Sequence, residues 1–76
     1  MSSIVVYGQP GCMPCKGTYR ALDKAGLQYD VVDISEDHDA REYVMGLGHK
    51  STPVVVLENG QHWSGHQPSK LATLLA

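Results

Sequence analysis

The sequence has only two cysteines, no phenylalanine and no long hydrophobic run. Its first apolar run, residues 4–7, is far shorter than the hydrophobic region of a signal peptide or a membrane span, and no cationic segment precedes it. We therefore expect a cytoplasmic protein that does not bind a membrane. Small secreted domains held by disulfides usually carry four or more scattered cysteines, so a single neighbouring pair argues against that class as well.

An excess of charge of either sign is also missing. The chain has six Lys and Arg residues against eight Asp and Glu residues, and its formal net charge is −2. Without a basic field the protein has no general attraction for nucleic acid or an anionic membrane, and we expect neither as a partner. A chain of 76 residues can build one compact core, so residues 1–76 are predicted to form a single domain, which we expect to be a monomer.

What the sequence does contain is a close cysteine pair, Cys12 and Cys15, directly after an apolar run and the turn-forming residues 8–11. If a strand ends in that turn and a helix begins at Cys12, the unsatisfied N–H groups of the helix start point at its sulfur and favour the thiolate. Residues three apart on a helix face the same way, at a separation that a disulfide can span. A bridge this short constrains the unfolded chain very little, so the pair indicates redox chemistry.

The residues after the pair have a helical pattern that ends at Gly26, with Pro14 tolerated in the first turn. One face of this helix carries Cys15, Tyr19, Leu22 and Ala25. Cys15 is therefore predicted to point inward, with Cys12 at the exposed tip. Lys16 lies four residues after Cys12 and is predicted to support its thiolate as a nearby positive charge, unless it is an ordinary solvated residue.

Two further segments continue the alternation of strand and helix. Residues 29–34 have a strand-like pattern, and a right-handed crossover through the first helix would set them parallel to the first strand. Ser35 is a good helix start before an acidic first turn, and Gly48 is a good stop. The inward face of this second helix is predicted to comprise Ala40, Tyr43, Val44 and Leu47.

The last third of the chain predicts a hairpin and a helix. Asn59-Gly60 stands between the strand-like runs 53–58 and 61–64, which predicts a type I′ turn. Pro68 suits the first turn of a third helix, whose apolar face would carry Leu71, Leu74 and Leu75. The predicted fold is therefore α/β, a four-stranded mixed sheet with three helices in the order β-α-β-α-β-β-α. The expected order within the sheet is fourth, third, first and second strand.

Three motifs together make the chain resemble the glutaredoxin-like redoxins known as NrdH-redoxins, over nearly its full length. They are Cys12-Met13-Pro14-Cys15, Thr52-Pro53-Val54-Val55-Val56, and Trp63-Ser64-Gly65 followed by Pro68. Residues 32–44 are also similar to actinobacterial members of that family. The chain departs from the family pattern at His66 and Gln67, where an aromatic residue and an arginine are usual, and at Gln9, where lysine is frequent.

The resemblance implies a thioredoxin fold in which Cys12 is the attacking thiolate, Cys15 is the resolving thiol and Pro53 follows a cis peptide bond beside the disulfide. It also implies that electrons pass from NADPH through thioredoxin reductase to this protein, which binds no cofactor itself. The acceptor would be a class Ib ribonucleotide reductase or another disulfide-containing protein. Partner binding is expected at Met13, Pro14, Thr52, Pro53, Trp63, Ser64 and Gly65, unless Trp63 is a partly buried hairpin residue that covers the core.

Two other functions remain open. A glutathione-dependent glutaredoxin needs cations for the tripeptide's carboxylates; this chain offers Lys50 but has Gln9 in place of a lysine, and the acidic start of the second helix would repel the ligand. A zinc-binding module is the alternative of another class. Its two pairs of ligands would be much further apart in sequence than in a zinc finger. Those ligands would be Cys12, Cys15, His62 and His66.

Overall fold

The computed structural model describes residues 3–75, apart from the side chain of Leu75, so the prediction for that side chain lies outside the described part. The elements follow one another in the predicted order. They are β1 (Ile4–Gly8), α1 (Met13–Lys24), β2 (Asp30–Asp33), α2 (His38–Gly46), β3 (Val54–Leu57), β4 (His62–Ser64) and α3 (Pro68–Ala72), with a final 3₁₀ turn at Thr73–Leu75.

The four strands form one mixed sheet in the order β2-β1-β3-β4, which confirms the predicted arrangement. β1 runs parallel to β2 and antiparallel to β3, so that Val6 lies opposite Val31 on one side and opposite Val55 on the other. β3 and β4 form the antiparallel hairpin. Because β1 is central, the turn after Gly8 brings the cysteine segment to the end of the sheet, beside the loop that precedes β3.

Side chains alternate between the two faces of the sheet, and helices cover both. The face covered by α1 and α3 holds the main hydrophobic cluster, in which Val6 and Val55 are fully buried. Its buried members are Ile4, Val6, Leu22, Val55, Leu57, Trp63 and Leu71. On the opposite face α2 packs against β1, where the rings of Tyr7 and Tyr43 lie 5.7 Å apart and Val44 is buried. The fold is therefore a helix-covered α/β sheet, as predicted.

The first helix follows the sequence pattern closely. Cys12 is its N-cap residue, Pro14 stands in the first turn, and Gly26 follows the helix end with a positive φ of 72°. Cys15 and Leu22 are buried as expected, whereas Tyr19 and Ala25 are half-buried. The pattern missed Thr18, which is 0% exposed although its hydroxyl is polar. A buried hydroxyl needs a hydrogen-bond partner, and this one finds it near the end of the chain.

The prediction that the second helix starts at Ser35 is wrong. Asp33 captures that residue with one carboxylate oxygen, which accepts from the Ser35 backbone N–H at 2.8 Å and from its hydroxyl at 2.6 Å. Ser35 therefore lies in the turn that follows β2, three residues before the helix begins. Asp37 caps α2 instead, accepting from the Ala40 N–H at 3.0 Å. The stop at Gly48 is confirmed, with a positive φ of 95°.

The prediction of a type I′ turn is also wrong. Such a turn needs positive φ at two central residues, and of the loop residues only Gly60 has one, at 93°. The Leu57 N–H donates to the Gln61 carbonyl at 2.8 Å, so the loop has three residues rather than two. The side-chain oxygen of Asn59 accepts a hydrogen bond from the Gln61 N–H at 2.9 Å. This bond holds Asn59 at a negative φ, so Gly60 is the residue that adopts the positive φ of the loop.

Among residues 3–75, none of the helices has both the length and the hydrophobicity needed to cross a lipid bilayer.

Candidate redox site

Cys12 and Cys15 form a disulfide with their Cα atoms 5.2 Å apart, which confirms the pairing that the spacing predicts. The sulfur of Cys12 lies at the start of α1 and accepts a hydrogen bond from the Cys15 backbone N–H at 3.2 Å. A helix-start N–H group therefore does point at this sulfur. The same donor would stabilise negative charge on it once the disulfide is reduced.

The two sulfurs differ in their accessibility. Cys15 is only 1% exposed, whereas Cys12 is half-buried and is followed by Met13, which is 70% exposed, and by the exposed Pro14. A partner's sulfur can reach Cys12 but not Cys15, as the helical pattern predicted. Lys16 is exposed on the same turn, and its proposed support of the thiolate stays a prediction.

A second segment of the chain reaches Cys12 from the loop before β3. The hydroxyl of Thr52 donates a hydrogen bond to the Cys12 sulfur at 3.3 Å. The peptide bond between Thr52 and Pro53 is cis, as the resemblance implied, and Pro53 is buried. The sequence predicted partner binding at Thr52 but not this hydroxyl contact, because nothing local signals a contact between residues this far apart in the chain.

Gly8 makes room for the buried side of the site, a role that the sequence did not reveal. A β-carbon added there would collide with the Tyr19 hydroxyl and lie 3.3 Å from the Cys15 sulfur. Tyr19 in turn stacks on Tyr29, with ring centroids 6.0 Å apart. Burial, and then the negative charge of Asp33, raises the pKa of Tyr19, so its hydroxyl stays protonated beside the end of β1.

The third motif packs against the core and the Pro53 loop. Trp63 is only 7% exposed and belongs to the hydrophobic core, which is one of the two roles that the sequence allowed. Ser64 pairs with Val54 in the sheet. The Gly65 N–H donates to the Pro53 carbonyl at 2.8 Å. These two contacts hold the segment around Pro53 in place. Direct partner binding at Ser64 and Gly65 stays a prediction.

The two departures from the family pattern have defined contacts. His66 Nδ1 and the hydroxyl of Thr18 form a hydrogen bond at 3.2 Å, which satisfies the buried polar group of α1. The Gln67 amide donates to the Ser64 carbonyl at 2.7 Å. His66 also packs on Gly17, where an added β-carbon would lie 3.3 Å from its ring. His66 therefore connects the third motif to α1, the helix at the cysteine pair, and Gln67 stabilises the motif itself.

The ligands of the zinc alternative are directed elsewhere. His62 forms a hydrogen bond with His49 at 2.7 Å, while His66 is bound to Thr18 and the cysteines to each other. Within residues 3–75 there is no group of three or more His, Cys, Asp or Glu side chains arranged to hold a metal ion. Burial, and then the neighbouring His62, lowers the pKa of His49, which keeps this ring neutral at neutral pH.

A groove of about 370 Å³ opens beside Thr52, and we call it the Thr52 groove. Arg41 and Lys50 supply its permanent positive charges, and no carboxylate lines it. The acidic residues at the start of α2 line a separate recess on the β2 side. The groove is lined by Gln9, Ile34, Ser35, Arg41, Val44, Met45, His49, Lys50, Ser51 and Thr52.

The glutaredoxin family model matches residues 4–63, which contain both cysteines and the Thr52 groove. The chain belongs to the glutaredoxin family. It is 41% identical over 73 residues to the gene 56 protein of Mycobacterium phage D29, covering 95% of this chain and 81% of that protein. It is 31% identical over 71 residues to the glutaredoxin-like protein NrdH of Lactococcus lactis subsp. lactis, covering 93% and 97% of the two chains.

Among solved structures, this glutaredoxin is similar to the NrdH-redoxin of Escherichia coli, with a TM-score of 0.89 and 27% identity over 93% of this chain and 92% of that one. The similarity confirms both the NrdH-like character and the thioredoxin fold, a four-stranded mixed sheet with three helices. A glutaredoxin of this type with a disulfide between Cys12 and Cys15 is a thiol–disulfide oxidoreductase.

Proposed function

We propose that this glutaredoxin is a dithiol electron carrier that thioredoxin reductase reduces with NADPH and that in turn reduces a class Ib ribonucleotide reductase. The observation that carries the proposal is its structural similarity to the Escherichia coli NrdH-redoxin, a glutaredoxin-like protein described as having a thioredoxin-like activity profile. The NrdH-named relative in Lactococcus lactis supports the same role over 97% of its length. The carrier itself needs no bound cofactor, because the two sulfurs hold the electron pair.

The mechanism consists of two disulfide exchanges. The Cys12 thiolate attacks one sulfur of the partner's disulfide, and the partner's other sulfur leaves as a thiolate. Cys15 then loses its proton to solvent and attacks the Cys12 sulfur, which releases the partner's second thiolate and closes the Cys12–Cys15 disulfide. The partner gains two electrons and this protein loses two. The Cα separation of 5.2 Å lets the second step proceed with little movement of α1.

Three features around Cys12 suit the attacking role. The Cys15 N–H and the Thr52 hydroxyl both donate to its sulfur, at 3.2 Å and 3.3 Å, and would stabilise the thiolate. Its position at a helix N-terminus adds the helix dipole. Cys15 has the accessibility expected of a resolving thiol, because an incoming protein cannot reach a side chain that is 1% exposed.

The experiment is NADPH oxidation with this protein and a model protein disulfide, coupled in parallel to thioredoxin reductase or to glutathione and glutathione reductase. The proposal expects turnover with thioredoxin reductase, and Cys12→Ser protein is the control that should abolish it. Turnover of class Ib ribonucleotide reductase with this protein as its reductant is the second stage. Activity in the first stage but none in the second would leave the carrier role intact and remove the proposed acceptor.

The Thr52 groove favours glutathione-dependent reduction as a second candidate. Arg41 and Lys50 line it, and the acidic start of α2 lines a different recess and does not face a ligand there. The sequence raised two points against this candidate, repulsion by those acids and Gln9 in place of a lysine. The first is weakened by this placement, and the second stands because Gln9 also lines the groove. In the parallel assay, turnover that requires glutathione would support this candidate over the thioredoxin reductase pathway.

A further inference from the structure

The Thr52 groove combines positive charge with a direct approach to the reactive sulfur. Thr52 lines the groove and its hydroxyl contacts Cys12, so a ligand joined to Cys12 through a disulfide would lie beside the groove opening. Arg41 and Lys50 line its walls, and neither forms an ion pair with any residue in the described range 3–75. Two cations without a carboxylate partner beside a redox sulfur form a site for an anionic group.

The charge of the groove is local and opposite to that of the whole protein. The formal net charge is −2, yet two cations and no acid line the groove within residues 3–75. Asp37, the cap of α2, and Asp39 in its first turn line the other recess. His49 also lines the groove but is held by His62 and is neutral, so the charge comes from the arginine and the lysine.

We propose that the Thr52 groove selects partner proteins that carry an acidic residue close to their reacting cysteine, with Arg41 and Lys50 as the residues that bind it. This inference rests on the proposed electron-carrier function. Lys50 precedes Thr52 by two residues, and the hydroxyl of Thr52 contacts Cys12. The acidic residue should therefore stand within a few residues of the partner's cysteine, and a separation of two residues is the one to test first.

The exposed apolar side chains indicate a protein segment rather than a small thiol. Met45 lines the groove and is 58% exposed, and Met13, next to Cys12 but outside the groove, is 70% exposed. A ligand that contacts both must extend past Cys12 in two directions. A peptide chain does so, whereas glutathione joined to Cys12 would occupy the groove alone.

The test uses reduced protein and short peptides whose single cysteine carries a 2-pyridyl disulfide, with Glu, Gln or Lys two residues from it. Attack by Cys12 releases pyridine-2-thione, whose absorbance gives the rate, and Cys15 then releases the peptide thiol. We expect kcat/KM for the Glu peptide to exceed that for the Gln peptide roughly threefold to tenfold, mainly through KM. The preference should weaken as salt is added.

Matched variants locate the selectivity. The double variant Arg41→Gln with Lys50→Gln should lose the preference and react with the Glu and Gln peptides at equal rates. Lys70→Gln removes a cation of α3 that lies outside the groove, and it should keep the full preference. A preference that persists in the double variant would overturn the assignment to this groove.

The remaining outcomes separate this inference from the function on which it rests. Equal rates with the Glu, Gln and Lys peptides in the wild type would refute the selectivity and leave the carrier function standing. No reaction with any peptide would count against both. A glutathione pyridyl disulfide that reacts faster than the Glu peptide would show that the groove prefers a small anionic thiol, which contradicts the choice of a protein segment.

Discussion

The hydroxyl of Thr52 donates a hydrogen bond to the sulfur of Cys12 at 3.3 Å, across 40 residues of the chain. This bond joins the loop before β3 to the start of α1 at the one sulfur that a partner can reach. It places a neutral hydrogen-bond donor at the sulfur that becomes a thiolate after reduction. Because Thr52 also lines the Thr52 groove, the bond brings one groove residue into contact with the reactive sulfur.

Thr52→Val should therefore slow reactions of the reduced Cys12. A hydrogen bond to a charged group contributes about 1.5 kcal/mol or more, so its loss lowers the ionisation constant of the thiol about tenfold and the thiolate fraction by at most that factor; the greater nucleophilicity of a more basic thiolate recovers part of the loss. We expect the rate of alkylation by iodoacetamide at neutral pH to fall by up to roughly fourfold. Thr52→Ser keeps the hydroxyl and should react like the wild type. Equal rates for Val and Ser variants would show that the hydroxyl does not support the thiolate.

Gly8→Ala should destabilise the oxidised protein because its β-carbon would meet the Tyr19 hydroxyl and the Cys15 sulfur. Overpacking of this kind costs about 1 to 3 kcal/mol. Urea unfolding measures the loss. Gly46→Ala is the matched control, because a β-carbon there has no neighbour within 4 Å and alanine favours the helix.

Tyr19→Phe distinguishes the collision from a general intolerance of alanine at position 8. Removing the hydroxyl frees the space into which the new β-carbon projects, so the Gly8→Ala change should cost less in the Tyr19→Phe background. An identical loss in both backgrounds would mean that the hydroxyl is not the obstacle.

His66→Ala should cost stability by leaving the buried hydroxyl of Thr18 without its partner. An unsatisfied buried polar group costs about 1 to 3 kcal/mol, whereas replacing both partners with apolar groups removes most of that penalty. We therefore expect Thr18→Val to rescue much of the His66→Ala loss in a double-mutant cycle measured by urea unfolding. Strictly additive losses would show that the bond at 3.2 Å carries no coupling energy.

Tyr29 should make the stability of the protein fall at alkaline pH. Burial, and then the hydrogen bond that its hydroxyl donates to Asp23, raises the pKa of Tyr29 from its ordinary value of 10.0 to about 12. Above pH 10 the unfolded state loses this proton first, so the free energy of unfolding is unaffected below about pH 10 and declines as the pH rises towards 12. Tyr29→Phe should flatten that decline. A decline of equal slope in the variant would assign it to other groups.

The features that sequence could predict are those that local patterns determine. Local residues determine the strand before Cys12, the helix stops at Gly26 and Gly48, and the hairpin. Once these elements were correct, the sheet order and the cysteine geometry could be predicted as well. The prediction of a helix start at Ser35 failed because Ser35 and Asp37 are both possible caps, and Asp33 binds Ser35 through hydrogen bonds within a turn. The turn at Asn59 failed because its side chain binds the Gln61 N–H.

Contacts between distant segments had no signal in the sequence. The Thr52 hydroxyl on Cys12 and the His66 ring on Thr18 span 40 and 48 residues, and each depends on the assembled sheet. For Trp63 the sequence left two roles open, a docking surface and the core, because tryptophan suits both. The structure shows that its side chain is buried in the core.

The most direct test of the account is identification of the covalent intermediate. Reduced Cys15→Ser protein mixed with a disulfide-bonded partner peptide should accumulate one mixed disulfide, and mass spectrometry of its proteolytic fragments should place the peptide on Cys12. Cys12→Ser protein should trap nothing, because the remaining Cys15 is 1% exposed in the wild type. A peptide attached to Cys15, or full turnover by Cys12→Ser protein, would contradict the account.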